Sequence, residues 1–362
     1  MSAHKPAQPF KHNPLNLVKA EIRLVRVRPS ECKSFQCSIE HVAINGCPPY
    51  HALSYNWGPE LVSRTLTIDG HPYGIWENLW EFWDHLYTCE DLGRRSGDSD
   101  GSSEIYLWID QICIDQDNDQ ERNHQVELMT SIYRRAESVV IWVGSEDHES
   151  WRAVDFIQNR YAPWDRVVAR AVTAFFARPY WSRLWIVQEV LLARAITVRC
   201  GCLTLEWTDL LALAAGETAQ LVPPHVKPLL TSTKAPPPNS NPRNKAGDTP
   251  VRNDYYLEEA LVYFSGRSCT DLRDKIFGLV GIVRASDRRR VRVDYTHGPD
   301  FGWLMLCDYI SGYGHSLPSD CKVDPKEVRQ TLQLLAKEMC LRWEISEQEL
   351  NQTEQAKAAR SR

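Results

Sequence analysis

The stretch that most restricts the fold of this chain is Tyr106 to Gly144. Two short, almost wholly apolar runs, residues 106–109 and 139–143, flank a segment in which Val126, Met129, Ile132, Tyr133 and Ala136 recur at helical spacing. The pattern predicts a strand, a helix and a strand. Asn118 followed by Glu121 is a capping-box pattern, and Asp119 and Glu121 place negative charge where the helix dipole favours it. Strands without polar alternation are buried on both faces, and a helical crossover is expected to join these two as parallel neighbours. Right-handed crossover then puts Asp110 and Gly144 at one carboxyl edge of the sheet, where ligands bind in open parallel sheets.

The rest of the chain supplies further elements of the same kind. Residues 1–19 read as a flexible arm. Residues 21–27 alternate apolar and basic side chains as a half-exposed strand does, and residues 35–44 are expected to pair with them. Residues 50–59 form a strand that stops at Gly58-Pro59, and residues 66–70 read as a strand and turn. Helices are expected over residues 75–87, 151–159, 165–177 and 179–193, the last opened by Pro179, with a buried strand at 195–200. Residues 206–221 read as a helical extension. Residues 222–251 hold eight prolines within positions 222–250 among Ser, Thr, Asn and Lys, which predicts a disordered linker. Helical pattern resumes over 252–347, at 254–264, 274–283, 301–311 and 328–347, before a frayed tail at 348–362.

Charge and cysteine usage exclude several classes. A formal charge of −5 argues against general nucleic-acid or anionic-membrane binding, which needs a basic surface. Arg288, Arg289, Arg290 and Arg292 cluster around a Val-x-Val pattern and read as a solvated strand edge. No apolar run approaches the length of a membrane span and the N-terminus lacks a signal-peptide core, so a cytoplasmic location is expected. The eleven cysteines are scattered among apolar neighbours, so most are expected to be reduced thiols, and the spacing of Cys32, Cys37, His41 and Cys47 fits no common zinc site; no metal ligands are expected. Neither a glycine-rich phosphate loop nor a nucleophile elbow around Ser54 is present.

One stretch carries potential chemistry. In residues 178–190, Trp181, Trp185 and Glu189 fall four apart and are expected to line one helix face, while Leu184, Val187 and Leu191 mark an apolar one. A flat aromatic wall beside a partly desolvated acid suits a planar ligand that develops positive charge, as in cleavage of an N-glycosidic bond. The plainer alternative is that the tryptophans are core and Glu189 pairs with Arg183 or Arg199. Asp110 and Asp115 have an equally plain reading as turn and helix caps.

Three blocks, residues 50–58, 107–144 and 178–189, together resemble the fungal heterokaryon-incompatibility (HET) domain, in the family's order and spacing, over roughly residues 20–205. Residues 269–281 are similar to a block found downstream in such proteins, with Leu272 where proline is common. The resemblance implies an effector of fungal non-self recognition that triggers programmed cell death, on a flavodoxin-like parallel sheet similar to the Toll/interleukin-receptor (TIR) fold, flanked by helices and followed by a mainly helical C-terminal region. Some TIR domains cleave NAD with a glutamate in Trp-Cys-x-x-Glu. Here Trp185-Ile-Val-Gln-Glu189 keeps the spacing with Ile186 in place of cysteine, so Glu189 is implied as the catalytic acid. Ser54, Tyr55, Trp57, Gly58, Asp110, Asp115, Trp181 and Trp185 are implied as substrate-binding residues. NAD would be a substrate, with no bound cofactor. The implied partners are a second copy of the chain or another incompatibility protein, and the alternative function is a non-enzymatic scaffold.

Overall fold

The computed structural model describes residues 9–29, 35–59, 62–88, 104–159, 164–232, 255–298 and 321–338. They divide into two units, Met1–Val251 and Arg252–Arg362. The first unit carries, in chain order, β1 (Glu21–Pro29), β2 (Phe35–Ala43), β3 (His51–Tyr55), β4 (Val62–Ile68), β5 (His71–Trp76), α1 (Glu77–Thr88), β6 (Ile105–Trp108), α2 (Asp110–Cys113) and α3 (Asp119–Arg135). There follow β7 (Ser138–Trp142), α4 (His148–Asn159), α5 (Arg166–Phe176), a 3-10 turn (Pro179–Ser182), α6 (Ile186–Leu191), β8 (Ile196–Cys200), β9 (Leu203–Glu206), α7 (Trp207–Ala215) and α8 (Lys227–Ser232).

The strands form one nine-stranded sheet in the order β5-β4-β2-β1-β6-β3-β7-β8-β9. Four adjacent strands, β6, β3, β7 and β8, are parallel and almost fully buried, as their unbroken apolar runs require. The sheet as a whole is mixed: β1 and β2 form the antiparallel addition expected beside the parallel strands, and further antiparallel pairs extend it at both ends. β1 meets β6 antiparallel and β2 meets β1 antiparallel over nine residue pairs, and β4–β5 and β8–β9 are hairpin-like antiparallel pairs. One correction concerns neighbours. β6 and β7 are not adjacent, because β3 lies between them and pairs in parallel with both. Adjacent apolar runs in sequence specify burial but not which third strand enters between them.

Within the parallel group the chain visits β3 first, then β6 on one side, then β7 and β8 on the other. The crossovers therefore leave β3 in opposite directions, and a crevice is expected at its carboxyl end. Ser54 and Tyr55 stand there.

β1 departs from its expected half-exposed alternation, because Arg23 is wholly buried. Its guanidinium is met by Glu121 at 2.5 and 2.8 Å and donates to the carbonyls of Cys113 and Asn13. This also alters the α3 cap. Asn118 accepts from the Glu121 backbone N–H at 3.2 Å as predicted, but the Glu121 carboxylate turns to Arg23 and to the Asp115 N–H instead of closing the box.

The helix expected over 179–193 is broken. The 3-10 turn ends at Arg183, whose backbone is extended (φ −66°, ψ 142°), before α6 begins. The break lets Trp181 enter the core against Phe175, Phe176 and Tyr180, with ring centroids 5.8, 5.2 and 5.1 Å away, while Glu189 points elsewhere. A continuous helix would force both to one face.

The segment expected as linker opens with α8, which buries Leu229 and Leu230 alongside Val222 and Val226; residues 233–251 lie outside the described residues. The second unit holds α9 (Leu257–Phe264), α10 (Asp274–Phe277), α11 (Ala285–Arg288) and α12 (Pro325–Glu338). Its helical character matches expectation, whereas residues 291–298 form no strand, so the arginine cluster flanks an irregular segment that still buries Val291 and Val293. Buried Lys275 donates to the carbonyls of Ser265 and Arg267, both at 2.8 Å, and pairs with Glu338 at 3.1 Å. The expected 301–311 helix and the tail lie outside the described residues. No helix among the described residues is long and apolar enough to cross a membrane.

Candidate functional site

β3 ends with Ser54 and Tyr55, both 1% exposed, where the opposed crossovers leave the sheet. α6, which precedes β8, points the Glu189 carboxylate at the Ser54 hydroxyl, which donates a short hydrogen bond to it. Tyr180, on the 3-10 turn, reaches the Ser54 oxygen at 2.8 Å. With Ser54 committed to Glu189, Tyr180 is the donor, giving a relay from Tyr180 through Ser54 to Glu189. The extended residue Arg183 places its guanidinium 4.0 Å from Glu189 and donates to the Tyr55 carbonyl.

Asp110 comes to the same cluster from the end of β6. It accepts from the Trp57 indole N–H at 2.8 Å and from the Gln111 backbone N–H at 2.7 Å. Trp57 is itself set edge-on to Trp76, with centroids 5.0 Å apart. Gly58, at φ +81°, lets the chain turn away immediately afterwards, and Asn78 of α1 holds this loop through the Asn56 carbonyl. The Tyr55 hydroxyl is 3.4 Å from the Gln111 side-chain oxygen, and Tyr73 donates to the Gln111 carbonyl at 2.5 Å.

Two acids thus share one arginine. Burial pushes the Glu189 carboxyl up to about 7, against the opposing pull of Arg183 and Ser54, and the nearby Asp110 charge raises it further. Burial likewise raises Asp110, moderated by Arg183 and by the Trp57 hydrogen bond. Burial disfavours the Arg183 charge, yet Glu189 and Asp110 outweigh it and hold its pKa above the ordinary value. At neutral pH the cluster contains an acid poised between its two protonation states, beside a permanent cation. Such a group can donate a proton, or as carboxylate stabilise a developing cation.

Ser54, Tyr55, Trp57, Asp110 and Glu189 therefore meet at one rim. Trp185 remains one helical turn from Glu189 and is half-buried. Trp181 does not belong to the rim, being 0% exposed in the core. Asp115 is also turned away. Its carboxylate accepts from the Asp117 N–H at 3.3 Å and its carbonyl from the Asn118 N–H at 3.2 Å, which is a turn before α3. Tyr180 and Gln111 were missed as members of the cluster. Their signal was position alone, since both lie inside the two motif blocks beside residues that were singled out.

Residues 50–189 match the family model described as heterokaryon incompatibility protein (HET). This stretch is similar to the HET domain. The match opens at β3 and closes on Glu189, so β1 and β2 before the matched stretch and β8 and β9 after it complete its sheet. The chain is also 25% identical, over 338 residues, to heterokaryon incompatibility protein 6, OR allele, of Neurospora crassa, covering 76% of this chain and 49% of that protein. The chain spans about half the length of that relative. No solved structure matches the chain.

Proposed function

We propose that this chain acts in fungal non-self recognition, as an effector whose engagement leads to death of the fused compartment, and that the cluster at the end of β3 is its chemical centre. The parallel group, visited in the order 2-1-3-4 across the sheet, is read as a flavodoxin-like core of the TIR kind. The substrate in this reading is NAD. Glu189 as carboxylate stabilises the ribosyl cation formed as neutral nicotinamide leaves, and water then adds at the anomeric carbon to give ADP-ribose and a proton. Asp110 and Trp57 bound the pocket, and Arg183 attracts the dinucleotide's phosphates.

The convergence of Ser54, Asp110, Arg183 and Glu189 carries this reading. Glu189 is 2% exposed and paired with Ser54 and Arg183, so turnover requires the rim to open. Assembly with a second copy or a partner incompatibility protein is the opening step. Nicotinamide release by concentrated protein, absent in Glu189→Gln and falling in specific activity on dilution, is the expected result. That same closure favours the second reading, an interaction scaffold whose buried acid only stabilises the fold. Folded, assembled wild type that releases no nicotinamide would establish it.

A further inference from the structure

Away from Glu189, at the carboxyl ends of β7 and β8, a second group of side chains converges. His85 comes from the last turn of α1, Glu146 from the loop after β7 and Cys202 from the turn after β8, and their ligand atoms all lie within 4.8 Å of one another. His85 Nε2 is 3.3 Å from Glu146 Oε2. Two ligands on one tetrahedral zinc with bonds of about 2.0–2.2 Å are separated by roughly 3.4 Å, so this pair already has metal-ligand spacing.

Groups that would orient these ligands are in place as well. His85 Nδ1 is 2.8 Å from the Glu81 carbonyl, which can only accept, so Nδ1 carries a proton and Nε2 is the ring atom turned to Glu146. The Ser145 hydroxyl donates to Glu81 at 2.9 Å, and the Cys202 N–H donates to Glu146 Oε2 at 3.3 Å. The Gly201 N–H donates to the Gly144 carbonyl at 2.9 Å, tying the two loops together. Gly201, at φ +57°, leaves space for Glu146 that any Cβ would fill, since an ideal one falls 1.3 Å from Oε2.

Cys202 is disulfide-bonded in this structure, so its sulfur is not available as a thiolate. We propose that His85, Glu146 and Cys202 form a zinc site that becomes available when the Cys202 disulfide is reduced. Reduction adds two electrons and two protons across the sulfur–sulfur bond, a dithiol donor being oxidised to its own disulfide; zinc then displaces the Cys202 thiol proton. A mixed nitrogen, oxygen and sulfur set selects zinc over magnesium or calcium. Three protein ligands leave a fourth position for water. The site joins α1 to the loops after β7 and β8, so its occupancy reports the thiol state of the chain at the sheet's ligand-binding edge. It does not depend on the NAD reading.

The test uses the full chain, reduced with excess dithiol and desalted anaerobically, or left oxidised, and titrated with zinc against a competing chromophoric chelator. Reduced wild type is expected to bind one zinc more per chain than reduced Cys202→Ser or His85→Ala, and the oxidised protein to bind at least tenfold more weakly. Cobalt(II) titration should give a thiolate-to-metal charge-transfer band in reduced wild type and in Gln188→Ala, taken as a control outside the site, but not in Cys202→Ser. Equal zinc stoichiometry in reduced wild type and both variants, or a charge-transfer band that survives Cys202→Ser, would overturn the proposal. If His85→Ala fails to fold by circular dichroism, the cobalt comparison with Cys202→Ser decides alone.

Discussion

The hydroxyl of Ser54 donates to the carboxylate of Glu189, 135 residues along the chain, and both side chains are out of water. Because the Glu189 carboxyl titrates near 7 in the fold and near 4.5 when ordinary, the folded chain holds more protons than the unfolded one between these values. Stability therefore falls as pH rises through that window, by roughly 3 kcal/mol from this group. Glu189→Gln should flatten the slope, as read from urea unfolding between pH 5 and 7.5. An unchanged slope would place the proton on another group.

The Arg23–Glu121 pair gives the opposite sign. Burial pushes the Glu121 carboxyl up, but hydrogen bonds from Arg23 and the Asp115 N–H prevail and hold it below the ordinary value. Its contribution is full above the usual carboxylate range and is lost as pH falls through the depressed folded value. Glu121→Ala strands the Arg23 charge and should cost about 3–5 kcal/mol in denaturant unfolding. The double change Arg23→Met, Glu121→Leu should recover most of that loss.

Gly144 follows β7 at φ +100°, and a Cβ there would lie 3.2 Å from Arg178 Nη1. Arg178 closes this turn by donating to the carbonyls of Val143 and Ser145 at 3.1 and 2.9 Å and to Ser150 at 2.6 Å. Gly144→Ala should cost on the order of 1–3 kcal/mol through backbone strain, seen as a lowered midpoint in thermal unfolding. Arg178→Lys should also destabilise the loop, since a single ammonium cannot span the same acceptors.

Trp57 lowers the Asp110 pKa by donating its indole N–H. Burial already raises that carboxyl, so Trp57→Phe should raise it further while keeping the edge-on packing against Trp76. A carboxyl-selective NMR titration following Asp110 checks the direction. A downward shift would mean that water replaces the indole.

Much of the sheet was legible. The apolar runs at β3, β6, β7 and β8 announced buried strands because a strand covered on both faces has no position for polar residues. Asn118 announced the start of α3. The break at Arg183 was not legible, since residues 178–191 satisfy helical periodicity and no proline or glycine interrupts positions 180–191. Trp181 and Leu184, which helical periodicity puts on different faces, are both 0% exposed across the break. Arg23 was misread for a related reason, because an arginine in an alternating strand looks solvent-facing until a distant acid arrives to meet it.

The sequence by itself determined the three motif blocks, the α/β alternation and the gathering of Ser54, Asp110 and Gly144 at strand ends, since these follow from local pattern and from the handedness of crossovers. Only the tertiary structure decided that β3 divides β6 from β7, that Trp181 leaves the Glu189 face, and that Arg183 feels the charge of both Glu189 and Asp110. Those outcomes depend on which distant groups compete for the same buried volume and the same charge. Such competition has no period along the chain.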